Sequence, residues 1–209
     1  MDKKKKVESN ILVVGLSGSL RVGSYTSMAV NIALQGAQEV GVKTEFIDLN
    51  KLTLAFCDGR RNFESYPDGV LKLKSIVASA QGIILGTPEY HAGFSGVLKN
   101  ALDLMGFSEF EGKMIGLIGV SGGKMGAANA LNSLRNVGRA LHAWLIPEQV
   151  SIVEAWKNFD NSGKMNDKLL ENRVKDVGRQ VARFAYLHSS EKTKEFVREW
   201  EGAPENPGG

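Results

Sequence analysis

The chain has 209 residues, room for one domain with a sizeable core and too few for two comfortable ones. With 43% apolar, 23% charged and 8% aromatic residues, its composition argues against disordered and fibrous classes. A net charge of +3 and a pI near 8.9 are mild, so no nucleic-acid partner is expected.

Part of the basic excess is the run Lys3 to Lys6, read with the rest of residues 1–9 as a solvated, disordered tail. The one cysteine, Cys57, excludes an internal disulfide and a multi-cysteine metal site. No stretch approaches the roughly 20 apolar residues that a membrane helix needs, and none near the start reads as a secretory signal. A cytoplasmic protein without membrane insertion is expected.

Ile11 to Leu16 is a continuous apolar run that suits a buried strand. It leads into GSLRVGSYT at 18–26 and then into a helical pattern ending near Gly41. Lys43 to Leu49 reads as a short strand, and Asn50 to Asp68 as a long loop, functional or mobile. Val70 to Ala80 is helical. Gly82 to Gly86 is a buried strand that feeds TPEYH at 87–91, and a helix is expected from Gly96 to about Gly106. Lys113 to Val120 is a further strand, followed by the glycine loop SGGKMG at 121–126 and a helix from Ala127 to about His142. Ala143 to Val153 holds a strand interrupted by Pro147 and Glu148. Apolar steps of three and four from Leu170 onward mark a long amphipathic helix. Five strands alternating with five helices imply an α/β fold, a doubly wound parallel sheet with helices on both faces. Residues 10–190 form that domain. In the extension 191–209, the charged run to Glu201 reads as a solvated helical face and the remainder as disordered.

In such a sheet the ligand sits beyond the carboxyl ends of the strands, where the loops after strands one, three and four converge. The first loop suits a phosphate. A helix start offers free N–H groups and a positive dipole end, Ser19, Ser24 and Thr26 add hydroxyls, and Arg21 adds a planar fork. It matches neither the ATP-binding P-loop nor the dinucleotide fingerprint. Pro88, Glu89, Tyr90 and His91 offer a stiff turn, backbone polar groups and a flat face that suit a planar heteroaromatic ring. Ser121, Gly122 and Gly123 offer successive N–H groups that a ligand can approach closely. Together these describe a site for flavin mononucleotide, FMN.

Over residues 11 to about 188 the chain resembles the NAD(P)H-dependent FMN reductases of the flavodoxin-like class, which include quinone, chromate, ferric and azo-dye reductases. The resemblance rests on GSLRVGSYT at 18–26, TPEYH at 87–91 and LKNALD at 98–103. It implies strand order 2-1-3-4-5. It also implies that Ser19, Arg21, Ser24, Tyr25 and Thr26 hold the FMN phosphate, that Pro88, Glu89, Tyr90 and His91 line the ring, and that Ser121, Gly122 and Gly123 form the third loop. It further implies a homodimer or homotetramer in which a neighbour covers part of the flavin. The chain departs from the family pattern at His91 and Thr26, where Asn is common, and at Gly126 to Leu131, which lack the usual Arg and Gln.

The activity so implied is FMN-dependent transfer of electrons from NAD(P)H to quinones, free flavin or other small acceptors, with metal ions and azo or nitro compounds among them, by a ping-pong mechanism. No catalytic side chain is required, because the flavin carries the chemistry. A flavodoxin-type electron carrier is the alternative, although flavodoxins are typically acidic and lack an arginine in the phosphate loop. Arg60 and Arg61 are candidates for a 2′-phosphate of NADPH. Cys57 and His142 read as structural, and Lys99, Asn100 and Asp103 as residues that fix the helix and its neighbours.

Overall fold

The computed structural model describes residues 10–60, 62–189 and 191–201. The expectations for the tail 1–9, for Arg61 and for 202–209 lie outside the described residues.

In chain order the strands are β1 (Leu12–Ser17), β2 (Lys43–Ile47), β3 (Gly82–Tyr90), β4 (Gly93–Phe94), β5 (Met114–Val120) and β6 (Trp144–Ile152). The helices are α1 (Tyr25–Glu39), α2 (Asp68–Ser79), α3 (Gly96–Asp103), α4 (Phe107–Phe110), α5 (Ala128–Ala140), α6 (Ala155–Asn158), α7 (Lys168–Ser189) and α8 (Glu191–Glu201). The five long strands run parallel in the order β2-β1-β3-β5-β6. This is the expected 2-1-3-4-5 path once the short β4 is set aside.

Alternation along each strand sends successive side chains to opposite faces. Val13, Ile84, Ile118 and Val150 pack on one face against Ala29, Val30 and Ala33 of α1 and Val174, Val177 and Val181 of α7. Val14, Leu85, Ile115 and Leu117 pack on the other against Leu73 and Val77 of α2, Leu98 and Leu102 of α3, and Leu131 and Leu134 of α5. Each such side chain contributes about 1.5–3 kcal/mol when fully buried, so both faces are strongly specified. Where α1 crosses α7 the backbones touch: a Cβ on Gly178 would lie 1.7 Å from the Ala33 carbonyl oxygen, and only glycine fits there.

Three expectations need correction. The sheet has six strands rather than five, because β3 does not stop at Gly86. It runs to Tyr90, turns through His91 and Ala92, and pairs antiparallel with β4. There are eight α-helices among the described residues: the five expected in the sheet domain, α8 where a helical face was expected in the extension to Glu201, and two additions, α4 and α6. Of these, α4 arises because the expected helix 96–106 breaks after Asp103. The break is stabilised by Glu109, whose buried carboxylate accepts from the Gly106 N–H at 2.7 Å and from Lys74 Nζ at 3.0 Å. The interruption at Pro147 and Glu148 is a register shift within β6: Leu145 faces Ile115, whereas the next paired residue, Gln149, faces Leu117.

Candidate functional site

The strand order reverses between β1 and β3, and beyond their carboxyl ends lies a cleft of about 460 Å³. Its mouth is fixed from below. The Gly18 N–H donates to the Gly86 carbonyl at 2.8 Å, and Ser95 Oγ donates to the Gly18 carbonyl at 2.6 Å. Ser95 also accepts from the Leu98 N–H at 3.2 Å to cap α3, so one buried hydroxyl joins the first loop to the helix after TPEYH.

The first loop supplies Ser19, Arg21, Ser24, Tyr25 and Thr26 to the lining, as expected. Their tasks differ. Ser24 is the N-cap of α1 and accepts from the Ser27 N–H at 3.3 Å, which leaves the N–H groups of Tyr25 and Thr26 opening the helix without intrahelical acceptors. Ser19 Oγ accepts a long bond, 3.4 Å, from the Arg21 N–H. The Tyr25 ring stacks on Phe159 with centroids 5.4 Å apart. The Thr26 hydroxyl is the telling atom: Thr26 is 2% exposed, and its side chain has no hydrogen-bond partner among the described residues. A buried hydroxyl left so costs about 1–3 kcal/mol. In the same lining, Arg21 is exposed and makes no ion pair among the described residues.

From β3 come Pro88, Glu89 and Tyr90. The Glu89 carboxylate accepts from the Ala130 N–H at 3.0 Å in the first turn of α5, a favourable place for a negative charge, so it is the rest of Glu89 that is left for the cleft. Tyr90 is half-exposed at the rim. His91 is not among the lining residues. It is exposed, with φ 50°, and forms with Ala92, φ 62°, a two-residue turn of the left-handed kind. Such turns favour Asn and Gly.

Of the third loop, Gly122 lines the cleft and Ser121 and Gly123 do not. The Ser121 N–H donates to the Ile152 carbonyl at 2.8 Å, and the Gly123 N–H donates to Ser121 Oγ at 3.0 Å. Only the Gly122 N–H of the three has no such partner among the described residues, and a Cβ added there would meet nothing within 4 Å. Five lining residues are not among those named from the sequence: Val22 and Gly23 within the first loop, Val120 at the end of β5, and Ala155 and Trp156 of α6. For the last two the available signal was that β6, like β1, β3 and β5, ends at this edge.

Arg60 has a different fate from Arg21. Its Nε donates to both carboxylate oxygens of Asp58 at 2.9 and 3.0 Å, and its guanidinium lies 4.4 Å from the Tyr66 ring centroid. The same guanidinium holds the Asp58 carboxyl far below the usual carboxylate range. This leaves Arg60 no open fork for a 2′-phosphate, and Arg61 lies outside the described residues. Asn100 pins the same loop, accepting from the Cys57 N–H at 2.9 Å and donating to the Ala55 carbonyl at 3.0 Å, while Lys99 pairs with Asp103.

A doubly wound parallel sheet with an anion-suited helix start at its switch point defines a flavodoxin-like mononucleotide binder. Solved structures agree on the fold. The NAD(P)H:acceptor oxidoreductase FerB from Paracoccus denitrificans superposes with a TM-score of 0.69 at 22% identity, covering 85% of this chain and 98% of that one. A flavodoxin from the Archaea gives 0.59 at 13% identity, covering 84% and 99%. The family model for NADPH-dependent FMN reductase matches residues 11–157, and the chain belongs to that family. Among relatives, the NADPH-dependent FMN reductase ArsH of Shigella flexneri is 30% identical over 85% of this chain and 69% of its own. The FMN-dependent NADPH-azoreductase of Staphylococcus aureus is 31% identical over 80% and 91%. The protein is therefore an FMN-dependent oxidoreductase with NAD(P)H as co-substrate. The cleft fits that cofactor: an unpartnered buried hydroxyl, an unpaired guanidinium and a free helix start are what a phosphate would complete. No helix among the described residues is long and apolar enough to cross a membrane.

Proposed function

We propose that Ser19, Arg21, Thr26 and the first N–H groups of α1 hold the FMN phosphate, that Ser24 and Tyr25 shape that pocket, and that Pro88, Glu89, Tyr90 and Gly122 border the ring. His91, Ser121 and Gly123 support those borders from behind, through the turn and the loop they build. Bound FMN supplies the transfer of electrons from NAD(P)H to a second substrate. The chain's own part is to bind, orient and leave one face open. The Gly122 N–H is the donor available to a polar ring edge, acting as an oxyanion site does. The observation that carries the reading is the Thr26 hydroxyl, buried and without a hydrogen-bond partner among the described residues, in a cleft also lined by the unpaired Arg21.

One open face serving two substrates implies that they alternate, and hence ping-pong kinetics. Quinones and free flavin are the leading acceptors. Azo compounds follow from the relative named an azoreductase, and nitro compounds and metal ions complete the set. We assign the assembly as a homodimer or homotetramer. Beside Tyr90 runs an apolar groove of about 530 Å³ lined by Leu20, Leu52, Leu54, Phe56 and Val97, in which Phe56 is 84% exposed. The test is anaerobic mixing of the FMN-loaded protein with NADPH, followed by initial rates with a quinone. Rapid bleaching and parallel double-reciprocal lines are expected. Absence of bleaching would leave an electron carrier, and intersecting lines would remove the ping-pong mechanism. Light scattering of the eluted peak reads the assembly, and a monomer would refute it.

A further inference from the structure

The cleft's rim beside the third loop has a character of its own. The loop 121–127 and the turn 151–155 are tied together: the Glu154 N–H donates to the Gly123 carbonyl at 3.1 Å, the Ala155 N–H to the Ser121 carbonyl at 3.0 Å, and the Ala127 N–H to Ser151 Oγ at 2.7 Å. Glu154 is held at φ 40°, a left-handed conformation that a non-glycine residue keeps only when its surroundings impose it. This rigid platform presents apolar and cationic groups to solvent. Met125 is 94% exposed and Trp156 58%, while Lys124 is exposed and makes no ion pair among the described residues. The Lys157 ammonium stands 4.8 Å from the Trp156 ring centroid and pairs with Glu154 at 2.7 Å.

We infer that this platform is the adenosine 2′-phosphate subsite for NADPH, with Trp156 stacking on the adenine, Met125 bordering it and Lys124 taking the 2′-phosphate. The inference rests on the proposed use of this cleft by flavin and reduced nicotinamide. A purine is flat and apolar on its faces, and an exposed indole at a cleft rim is a matching surface. Trp156 is more than half exposed, so beyond the Lys157 contact its indole has surface open to a ligand. Lys124 is the unpaired cation on the platform, whereas Arg60 is engaged by Asp58. An NADH-selective site places a free carboxylate at the ribose 2′-hydroxyl. The carboxylate available here, Glu154, is already paired with Lys157. Backbone bonds join Trp156's turn to the loop of Lys124, and Gly122 of that loop lines the flavin cleft, so the subsite adjoins the reacting ring.

The test uses the full chain loaded with FMN and reads the rate of flavin bleaching against NADPH and NADH concentration. Lys124→Gln should lower the NADPH-over-NADH ratio of second-order rates by about tenfold or more, the loss of a charge-assisted contact. Trp156→Leu, compared at equal FMN occupancy because Trp156 also lines the flavin cleft, should weaken both nucleotides by a similar factor. In the parent, 2′-AMP should compete with NADPH more tightly than 5′-AMP does, and Lys124→Gln should abolish that difference. An unchanged ratio in Lys124→Gln, equal competition by the two monophosphates, or unchanged nucleotide dependence in FMN-loaded Trp156→Leu would each overturn the assignment. A parent that neither nucleotide reduces would overturn the proposed function, and the subsite with it; an unchanged ratio in an active parent overturns the subsite alone.

Discussion

Arg21 and Arg60 stand on two loops at the same edge of the sheet, and both looked like phosphate ligands by residue type. Their surroundings separate them. Arg60 grips Asp58, lies over Tyr66 and donates to the Ser65 carbonyl at 3.0 Å, so its loop satisfies its own charge. Arg21 makes no ion pair among the described residues, and beside it in the lining are the Thr26 hydroxyl and the opening N–H groups of α1, likewise without partners. A charge satisfied within its own loop holds structure; unsatisfied groups gathered around a cleft define a ligand.

The sharpest way to break that contrast is Arg21→Ala. Titration of the apoprotein with FMN, followed by flavin fluorescence, should show affinity reduced roughly 10- to 100-fold, the worth of a charge-assisted hydrogen bond. Its urea unfolding should be unchanged. If the variant holds FMN as the parent does, Arg21 is a surface residue like any other. Gly18→Ala probes the floor of the same loop. The added Cβ would lie 2.7 Å from both the Leu98 Cβ and Ser95 Oγ, and about 1–3 kcal/mol of unfolding free energy should be lost to overpacking. A neutral result in urea would show that the Ser95 clamp yields easily.

A smaller effect, opposite in sign, is expected at the β3–β4 turn. Ala92→Gly should stabilise by about 1 kcal/mol, because it relieves a non-glycine residue at φ 62°. A midpoint that falls would mean the Ala92 methyl packs usefully. Arg60→Ala should affect flavin least, leaving FMN affinity unchanged while the 50–68 loop becomes easier to cleave by protease. Asp58 has a depressed folded pKa, so its pairing is complete above the unfolded value of 3.8 and is lost as pH falls through the lower folded one. The parent loop should therefore resist cleavage at neutral pH, and Arg60→Ala should not. Loss of flavin from this variant would make Arg60 a ligand after all.

How much of this was legible beforehand depended on whether the signal was local. Buried parallel strands are continuous apolar runs, so Ile11 to Leu16, Gly82 to Gly86 and Lys113 to Val120 announced the sheet, and the Gly and Ser residues after them announced the loops. β4 was hidden because two residues carry no periodicity and its turn, His91-Ala92, lacks the Asn-Gly signature. The break before α4 depends on Glu109 meeting Lys74 from another helix, a contact no local pattern encodes. The third loop misled in a different way. Its glycines suggested three open donors, but tertiary bonds within the loop and to β6 take those of Ser121 and Gly123. Trp156 was passed over because a lone aromatic after an interrupted strand reads as packing until its neighbours are known.

The register shift in β6 bears on behaviour far from the flavin. β6 is the outer strand of the sheet, and Pro147 within it has no N–H to offer a newcomer. The Arg135 guanidinium donates to the carbonyls of Ile146 and Pro147 at 3.1 and 2.9 Å and to Gln149 Oε1 at 2.7 Å, covering the acceptors that the bulge frees. Around the bulge this edge therefore offers an added strand one donor and two acceptors fewer, which disfavours pairing of β6 with another chain there.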